Sequence, residues 1–442
     1  MDQQRPPSPP TQRRPPGPPK RTPRAPSEHD RPSVAGESVE VAIERMIPGG
    51  LGIGFADGRT VFVPLSAPGD RLRVTLRGRR GNAVVGTISE VLLASPQRVD
   101  PPCPYFGRCG GCDFQQLGYE HQLAAKVETI ADCLRRLGGL EYEADIPITP
   151  SPDPWRYRGT AEWQVDPPAG VVGYFGRDSH RVVDIDACPI LEPDVNDALA
   201  TVRAYAIDHP GGTPHEVRAM SGSDGISLYD ARSLEAPASL TRVIGGETYH
   251  YDSRAFFQAN PSLLEAVTEE VFAHLPSRGG RFRRGLALDL YSGIGLFTVP
   301  LARRFSRVIA IESDPISAAF AEQNLAAAGL SNVRVRQTRV ERWLPPNAGH
   351  VGRADVVILD PPRVGAEAAI PAILRLEAAN VVYVSCDPAT LARDLKRLVA
   401  GGYELTRVAA FDMFPQTHHV EVVAHLTYNP PPPPLKIELV GG

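Results

Sequence analysis

The pattern of hydrophobic and polar positions changes twice along this chain. Near the N-terminus, short alternating runs at 39–47, 60–64, 71–76 and 82–91 are separated by glycine and proline turns such as Gly49-Gly50-Leu-Gly52 and Pro68-Gly-Asp70. Strict alternation is typical of strands with one buried face, and several short strands between regular turns predict a small β-barrel. We therefore predict a barrel domain over residues 36–95.

The pattern becomes mixed after the predicted barrel. Residues 119–137 have helical spacing, with an apolar stripe made of Leu123, Val127, Ile130, Leu134 and Leu137. Short strand-like runs with glycine turns return between 155 and 250. This mixture predicts a central α/β domain over residues 96–255, in which the helical stripe is buried.

From residue 285 onward, apolar runs of strand length alternate with helical segments. Strands are predicted at 286–290, 307–311, 333–335, 356–359, 380–384, 404–409 and 420–426, and helices at 295–304 and 314–328. Strands that alternate with helices indicate a doubly wound, Rossmann-like α/β fold. We assign this third domain to residues 256–429.

The two ends of the chain are rich in proline. Residues 1–35 also carry seven basic side chains, which predicts a disordered basic arm that is either a weak nucleic-acid tether or a solvated leader. Residues 430–442 include five consecutive prolines and predict an inert tail.

Composition narrows the class of protein. The 442 residues carry a net charge of −4 and are 42% hydrophobic, without an apolar run of membrane-spanning length or a secretory signal. Three of the six cysteines are close together in sequence and the others are scattered, which is not the spacing of a secreted disulfide framework. We expect a soluble cytoplasmic protein, monomeric and without membrane contacts. Positive charge is concentrated at 71–80, where it could contact phosphates or be only a solvated face.

A glycine turn follows the first strand of the third domain. The segment Tyr291-Ser-Gly293-Ile-Gly295 lacks the third glycine of a dinucleotide fingerprint, and Glu312 ends the next strand. A carboxylate at that position can accept hydrogen bonds from ribose hydroxyls. The pattern favours an adenosine ligand without a pyrophosphate, such as S-adenosylmethionine.

Three reactive side chains follow or begin later strands. Cys386 and Asp360, which begins Asp360-Pro-Pro-Arg363, come directly after apolar runs, where open α/β sheets bind ligands. Cys386 is either a nucleophile or a small buried apolar residue. Glu421 interrupts an apolar strand, so it either faces solvent or points into a cleft, where burial would raise its pKa towards that of a general base.

The remaining cysteines indicate a ligand set. Cys103, Cys109 and Cys112 lie in one loop, Cys188 is the candidate fourth ligand, and Cys133 falls on the predicted helix as a core residue. Four thiolates hold either zinc or an iron–sulfur cluster. Spacing alone leaves both open, although three close cysteines with a distant one before a proline favour the cluster.

Taken together, these motifs resemble the RNA 5-methyluridine (uracil-5-) methyltransferase family. The similarity is strongest to the 23S rRNA type, whose members carry an N-terminal TRAM barrel and an iron–sulfur cluster. It covers residues 38–427 and is carried by Gly49-Gly-Leu-Gly52, Pro68-Gly-Asp70, the 102–116 cysteine segment, Phe256-Phe-Gln-Ala-Asn260, the glycine turn, Asp360-Pro-Pro-Arg363, Ser385-Cys386 and His419-Val-Glu421.

The resemblance implies roles for individual residues. Cys386 would be the nucleophile that attacks carbon 6 of uracil, and Glu421 the base that removes the proton from carbon 5. It also implies cofactor contacts by Gln258, Tyr291, Glu312 and Asp360, beside the cofactor-binding turn at Gly293 and Gly295. It further implies ligation of a [4Fe–4S] cluster by Cys103, Cys109, Cys112 and Cys188, and a basic segment near the target nucleotide at Trp155-Arg-Tyr-Arg158. The reaction requires the target base to leave its stack, and Phe256 or Phe257 could then stack on it.

Alternatives and departures accompany this interpretation. The implied partner is RNA, with rRNA preferred to tRNA. The alternatives are a tRNA uridine-5 methyltransferase, a cytosine-5 RNA methyltransferase, whose usual Pro-Cys motif is missing, and a non-catalytic RNA-binding assembly factor. A redox protein is a further reading that no second redox motif supports. The chain departs from the family pattern at Leu296, Arg339, Asp387 and Gln416.

Overall fold

The computed structural model describes residues 34–211, 213, 215–232, 237–275 and 282–429. The predicted arm, apart from its last two residues, and the predicted tail lie outside these ranges. Within the described ranges, no helix is long and apolar enough to cross a membrane.

Five N-terminal strands close into a barrel, as the alternation predicts. They pair in the order β1-β2-β3-β5-β4, with β1 at Ser38–Ile47, β2 at Leu51–Ala56, β3 at Arg59–Pro64, β4 at Arg71–Arg80 and β5 at Ala83–Leu93. Every second residue of β1 and β4 points inward over most of their length, so valine, leucine and isoleucine fill the interior.

The helix predicted over 119–137 forms, but its buried face differs from the predicted stripe. It runs as α1 (Tyr119–Cys133) and ends in a π-helical turn, Leu134–Gly138, before a two-residue strand, β6 (Ile148–Thr149). The stripe prediction is wrong at Leu137, which is 48% exposed, whereas Gln122 and Lys126 are buried. Tertiary partners explain the difference, because both polar side chains bond to residues near 412–416.

The central part of the chain forms a five-stranded antiparallel sheet. Its order is β11-β10-β7-β8-β9, built from β7 (Thr160–Asp166), β8 (Val171–Phe175), β9 (Val182–Asp184), β10 (His215–Gly222) and β11 (Gly225–Asp230). Helix α2 (Pro193–Asp208) covers one face and packs Leu199 into a core around Trp163. The hairpin β12 (Leu240–Ile244) and β13 (Glu247–Tyr251) and helix α3 (Leu264–Ala273) follow.

The C-terminal domain is doubly wound, as the alternation of strands and helices predicts. Its eight-stranded sheet has the order β16-β15-β14-β17-β18-β20-β19-β6, with β14 to β18 parallel and β20 antiparallel to both neighbours. The strands are β14 (Phe282–Leu290), β15 (Phe305–Glu312), β16 (Val333–Gln337), β17 (Val356–Leu359), β18 (Asn380–Ser385), β19 (Tyr403–Phe411) and β20 (Glu421–Tyr428).

Helices cover both faces of this sheet. They are α4 (Thr298–Arg304), α5 (Pro315–Ala327), α6 (Val340–Val351), α7 (Ile370–Leu374) and α8 (Pro388–Ala400). Helix α1 packs on α8 and adds Ile130, Cys133 and Leu134 to one of the two large cores. The strand order reverses at β14, between β15 and β17, and such a reversal opens a ligand crevice at the carboxyl ends of the strands.

Candidate active site

The candidate catalytic residues meet at the carboxyl edge of the C-terminal sheet. Cys386 follows β18, and Glu421 begins β20, which runs in the opposite direction and therefore starts at the same edge. Ser385 pairs with Val422, so one further step of this register sets Cys386 opposite Glu421. Opposed residues of antiparallel strands have Cα atoms about 4.5–5.5 Å apart. The fold thus brings the thiol and the carboxyl together.

The glycine turn after β14 presents backbone N–H groups to the crevice. Tyr291, Gly293 and Gly295 all have left-handed backbone, with φ of 63°, 54° and 93°. The N–H of Gly293 donates to Glu312 Oε2 at 2.9 Å, and the N–H of Asp314 donates to Oε1 at 2.6 Å. A left-handed tyrosine is strained, and such strain is typical of ligand sites. These two bonds hold the Glu312 carboxylate at the mouth of the turn.

Two further polar pairs line the crevice. The Tyr291 hydroxyl donates to Glu341 Oε1 on α6 at 2.6 Å, and Gln258 Nε2 donates to Asp360 Oδ2 at 3.3 Å. All six predicted cofactor positions therefore lie along one edge, although Gln258 comes from the segment before α3. Sequence reasoning missed Glu341, whose only signal is its place in the first turn of a helix.

Burial makes the carboxyl groups of this edge hard to ionise together. It raises the pKa of Asp360 to about 7, with the charge of Asp289 adding to the rise and Gln258 opposing it. The pKa of Asp289 is likewise raised to about 7, chiefly by burial. Burial, and then the charge of Asp360, hold the pKa of Glu421 well above its ordinary value. A carboxylate formed at Glu421 is therefore a strong base.

The Cys386 thiol is protonated in this environment. Burial, and then the charge of Glu421, raise its pKa to about 12, and the guanidinium of Arg363 opposes this rise. Cys386 also lies directly before Asp387, the N-cap of α8, and the positive N-terminal end of this helix favours a thiolate. The sequence identified Arg363 only as the last residue of the Asp360-Pro-Pro-Arg363 motif, and the structure places its guanidinium beside the thiol.

The structure shows where three of the four departures lie. Asp387 stands where the family that the sequence resembles usually has asparagine. It caps α8 by accepting hydrogen bonds from the N–H groups of Ala389 and Thr390, which an asparagine oxygen would also do. Leu296 is buried, and Arg339 is an exposed residue directly before α6. None of the three contacts Cys386 or Glu421 through a side-chain hydrogen bond in the described part of the chain.

The two candidate stacking residues, Phe256 and Phe257, differ in their exposure to solvent. Phe256 is 71% exposed, two residues before Gln258, whereas Phe257 is buried with its ring centroid 4.6 Å from that of Tyr251. Phe257 is thus a core residue, and Phe256 alone is available to a base at the crevice.

The four cysteines of the predicted cluster line one cavity of about 180 Å³. Burial raises the pKa of Cys109 and Cys112, and that of Cys188 to about 11, because it disfavours the charged thiolate form. Arg158 lies in the cavity wall, which leaves Arg156 as the surface arginine of the predicted basic segment. Among the described His, Cys, Asp and Glu side chains, no three converge closely enough for a single metal ion.

Comparison with known proteins adds to this geometry. Residues 241–344 and 352–428 match the family model described as tRNA (Uracil-5-)-methyltransferase. An uncharacterised RNA methyltransferase of Gloeobacter violaceus is 34% identical, over 88% of this chain and 96% of its own. The 23S rRNA (uracil(1939)-C(5))-methyltransferase RlmD of Pectobacterium atrosepticum is 31% identical, over 89% and 94%.

A solved structure shares the fold. The crystal structure of Pyrococcus abyssi tRNA (uracil-54, C5)-methyltransferase in complex with S-adenosyl-L-homocysteine superposes with a TM-score of 0.66 at 23% identity. The match covers 88% of this chain and 100% of that one. At that identity the likeness establishes the common architecture.

Proposed function

This chain belongs to the RNA (uracil-5-)-methyltransferase family, and on that premise we propose that it methylates carbon 5 of a uridine through a covalent adduct with Cys386. The observation that carries the proposal is the meeting of Cys386 and Glu421 at one edge of the sheet, where the register sets them opposite each other. A nucleophile and a base on the same base ring are the two groups that this reaction requires.

The proposed reaction begins with the thiolate. Cys386 adds to carbon 6, and the electrons of the 5,6 double bond move into the ring as an enolate. Carbon 5 of the enolate would then take a methyl group, whose bond to the sulfonium sulfur of the donor would break as the new carbon–carbon bond forms and leave a neutral thioether. The Glu421 carboxylate removes the remaining proton from carbon 5, the carbon–sulfur bond breaks, and the thiolate returns to Cys386. Arg363 and the N-terminus of α8 favour the thiolate at the first and last steps.

S-adenosylmethionine, bound along the same edge, would supply an electrophilic methyl group. Glu312 can accept from the ribose hydroxyls, and the left-handed turn at Gly293 and Gly295 lets the backbone approach the ligand. Gln258 and Asp360 complete the pocket, and Tyr291 is held at its rim by Glu341. The residues present fit an adenosine ligand without a pyrophosphate.

The preferred substrate is 23S rRNA. RlmD relatives from Pectobacterium atrosepticum and Pseudomonas putida align over 89% and 91% of this chain. We assign the barrel the role of a TRAM-type RNA-binding domain, with Arg71, Arg73 and Arg77 on its outer surface. The second candidate is tRNA, because the matching family model is named for tRNA.

The cavity formed by Cys103, Cys109, Cys112 and Cys188 supports a [4Fe–4S] cluster. Zinc–sulfur bonds of about 2.3 Å draw four sulfurs tightly together, whereas a cluster separates them. A cavity of about 180 Å³ whose lining includes the four thiols suits the larger group, and the Arg158 cation in its wall would offset the negative charge of four thiolates. Iron, sulfide and zinc analysis of anaerobically purified protein decides between the two metals.

The experiment for the function uses unmodified RNA. Purified protein is incubated with 23S rRNA or tRNA lacking the modification and with methyl-labelled S-adenosylmethionine, and the RNA is digested to nucleosides for mass spectrometry. Labelled 5-methyluridine from rRNA supports the proposal in full, and from tRNA it supports the chemistry with the second substrate. Absence of labelled nucleoside from both would favour a non-catalytic RNA-binding role.

Variants test the two catalytic assignments. Cys386→Ala should form neither product nor adduct. Cys133 is a buried cysteine outside the catalytic edge and the cysteine cavity, so the control Cys133→Ala should form both the adduct and the product. Glu421→Gln should methylate and then retain the RNA, visible as a protein–RNA band that survives denaturation. Normal turnover by Cys386→Ala, or a Glu421→Gln protein without the retained band, would overturn the mechanism.

A further inference from the structure

The glycine turn between β1 and β2 reaches the segment that leads to Glu421. Gly50 has a φ of 71°, and a Cβ atom there would lie 2.5 Å from Oδ2 of Asp113 and 3.1 Å from Nδ1 of His418. Only glycine allows this approach. The turn of the barrel therefore rests directly on the Asp113–His418 pair, which gives the Gly49-Gly50-Leu-Gly52 motif a structural purpose outside the RNA-binding face.

Asp113 links the cysteine loop to the same segment. It follows Cys112 directly, and its Oδ1 accepts from the backbone N–H of His418 at 2.8 Å while its Oδ2 lies 2.5 Å from Nδ1 of the imidazole. The N–H groups of Asp113 and Phe114 also donate to the carbonyl oxygen of Gln416, at 3.2 and 3.0 Å. Four polar contacts thus join residues 113–114 to residues 416–418.

Gln416 is fixed from the opposite side by α1. Its N–H donates to Oε1 of Gln122 at 2.9 Å, and its Oε1 accepts from Nε2 of Gln122 at 3.0 Å. The residue is buried and left-handed, with φ of 68°. Such a conformation persists in a residue other than glycine only where the surroundings hold it. The connection between β19 and β20 is therefore held in one shape by the cysteine loop and by α1.

We propose that Asp113 is a positioning residue for Glu421. It fixes His418, three residues before the base, and so sets the direction in which the chain enters β20. Through this contact the barrel turn and the cysteine loop both influence the position of Glu421. The inference rests on the proposed role of Glu421, and it predicts that disturbing Asp113 impairs release of the adduct more than its formation.

The test separates the two steps in single-turnover reactions on unmodified rRNA. Asp113→Ala removes both side-chain contacts and should slow adduct release by about 10- to 100-fold, the cost of misplacing a catalytic group by about 1 Å. Adduct formation, which needs Cys386, should change by less than about threefold. Asp113→Asn can still accept from the His418 N–H and can donate to Nδ1, so it should restore most of the release rate.

A double-mutant cycle tests whether Asp113 acts through the base. In a Glu421→Gln background, Asp113→Ala should cause no further slowing of release, because the group that it positions is already gone. A residue with a merely structural role would slow both backgrounds equally. Asp230→Ala is the matched control, since it removes another aspartate beside a histidine, His215 at 3.4 Å, on the central sheet.

The outcomes separate this inference from the proposed function. If the unaltered protein forms no 5-methyluridine, the function itself fails. If the unaltered protein does form it, two results would each contradict the positioning role alone. One is release of the adduct at the normal rate by Asp113→Ala, and the other is further slowing of release by Asp113→Ala in the Glu421→Gln background. Iron content and thermal unfolding are measured for each variant. Should Asp113→Ala not fold, His418→Ala removes the contact between the imidazole and Oδ2 of Asp113 but keeps the bond from the backbone N–H, and it should slow adduct release in the same direction.

Discussion

Replacing Lys126 by methionine should destabilise this protein severely. Lys126 on α1 and Asp412 after β19 form an ion pair with 2.5 Å between Nζ and Oδ1, and neither side chain is exposed. Nζ also donates to the carbonyl oxygen of Phe414 at 3.0 Å. Methionine has nearly the same length but no charge, so the substitution leaves the Asp412 carboxylate in the interior without a counter-charge.

The magnitude follows from burial. Removal of one partner of a buried pair costs about 3–5 kcal/mol. For a cooperative unit of 150–250 residues, each kcal/mol lowers Tm by about 2–4 °C, so Lys126→Met should lower Tm by roughly 6–20 °C. Asp412→Leu alone should also destabilise, because burial lowers the pKa of Lys126 and the charge of Asp412 opposes that effect. The two substitutions together should recover most of the loss, since an apolar pair of similar volume is often neutral.

Calorimetry measures Tm, and amide hydrogen exchange over α1 shows whether the loss is local to that helix. Lys396→Met is the control, because Lys396 is exposed on α8 and should shift Tm by less than about 2 °C. The reasoning would be refuted if Lys126→Met behaved like this control, or if the double variant were as unstable as the sum of the two single variants.

Three further predictions concern rate, RNA binding and acid stability. Because the pKa of Cys386 is raised to about 12 and the thiolate is the active form, kcat/KM should rise by up to about tenfold per pH unit from pH 6 to 9, and a flat profile would contradict this. Phe256→Ala should weaken RNA binding by about 1–3 kcal/mol in filter binding without changing Tm, whereas Phe257→Ala should lower Tm. Burial lowers the pKa of His419 to about 2, whereas the ordinary value is 6.5. Between these two values the unfolded chain takes up a proton at this histidine and the folded chain does not, so the free energy of unfolding decreases as pH falls. His419→Gln should lessen this decrease between pH 7 and 5 by about 2 kcal/mol, measured by urea unfolding.

Much of the architecture could be predicted because it depends on local patterns. Alternation and turn residues predicted the barrel, and the succession of apolar runs and helical segments predicted the doubly wound sheet. The end of each parallel strand placed Glu312, Asp360 and Cys386 at one edge without any knowledge of their contacts. The buried face of α1 could not be predicted in the same way, because Gln122 and Lys126 are polar and their partners lie almost 300 residues away.

The side-chain contacts within the candidate site could also not be predicted from the sequence. The bond between Tyr291 and Glu341, the bond between Gln258 and Asp360, and the approach of Arg363 to Cys386 all join segments that no local pattern relates. Each depends on how loops from separate elements meet above the sheet.

The sequence by itself determined which chemical groups are present and on which strand ends they lie, because periodicity and turn chemistry act over a few residues. The tertiary structure alone decided which of those groups face one another. The antiparallel return of β20 sets Glu421 opposite Cys386, and the close approach of Gly50 to the Asp113–His418 pair joins the barrel and the cysteine loop to the segment before the base. Both arrangements arise from long-range packing and burial, which raise the pKa values of the thiol and the carboxyl only once the chain has folded.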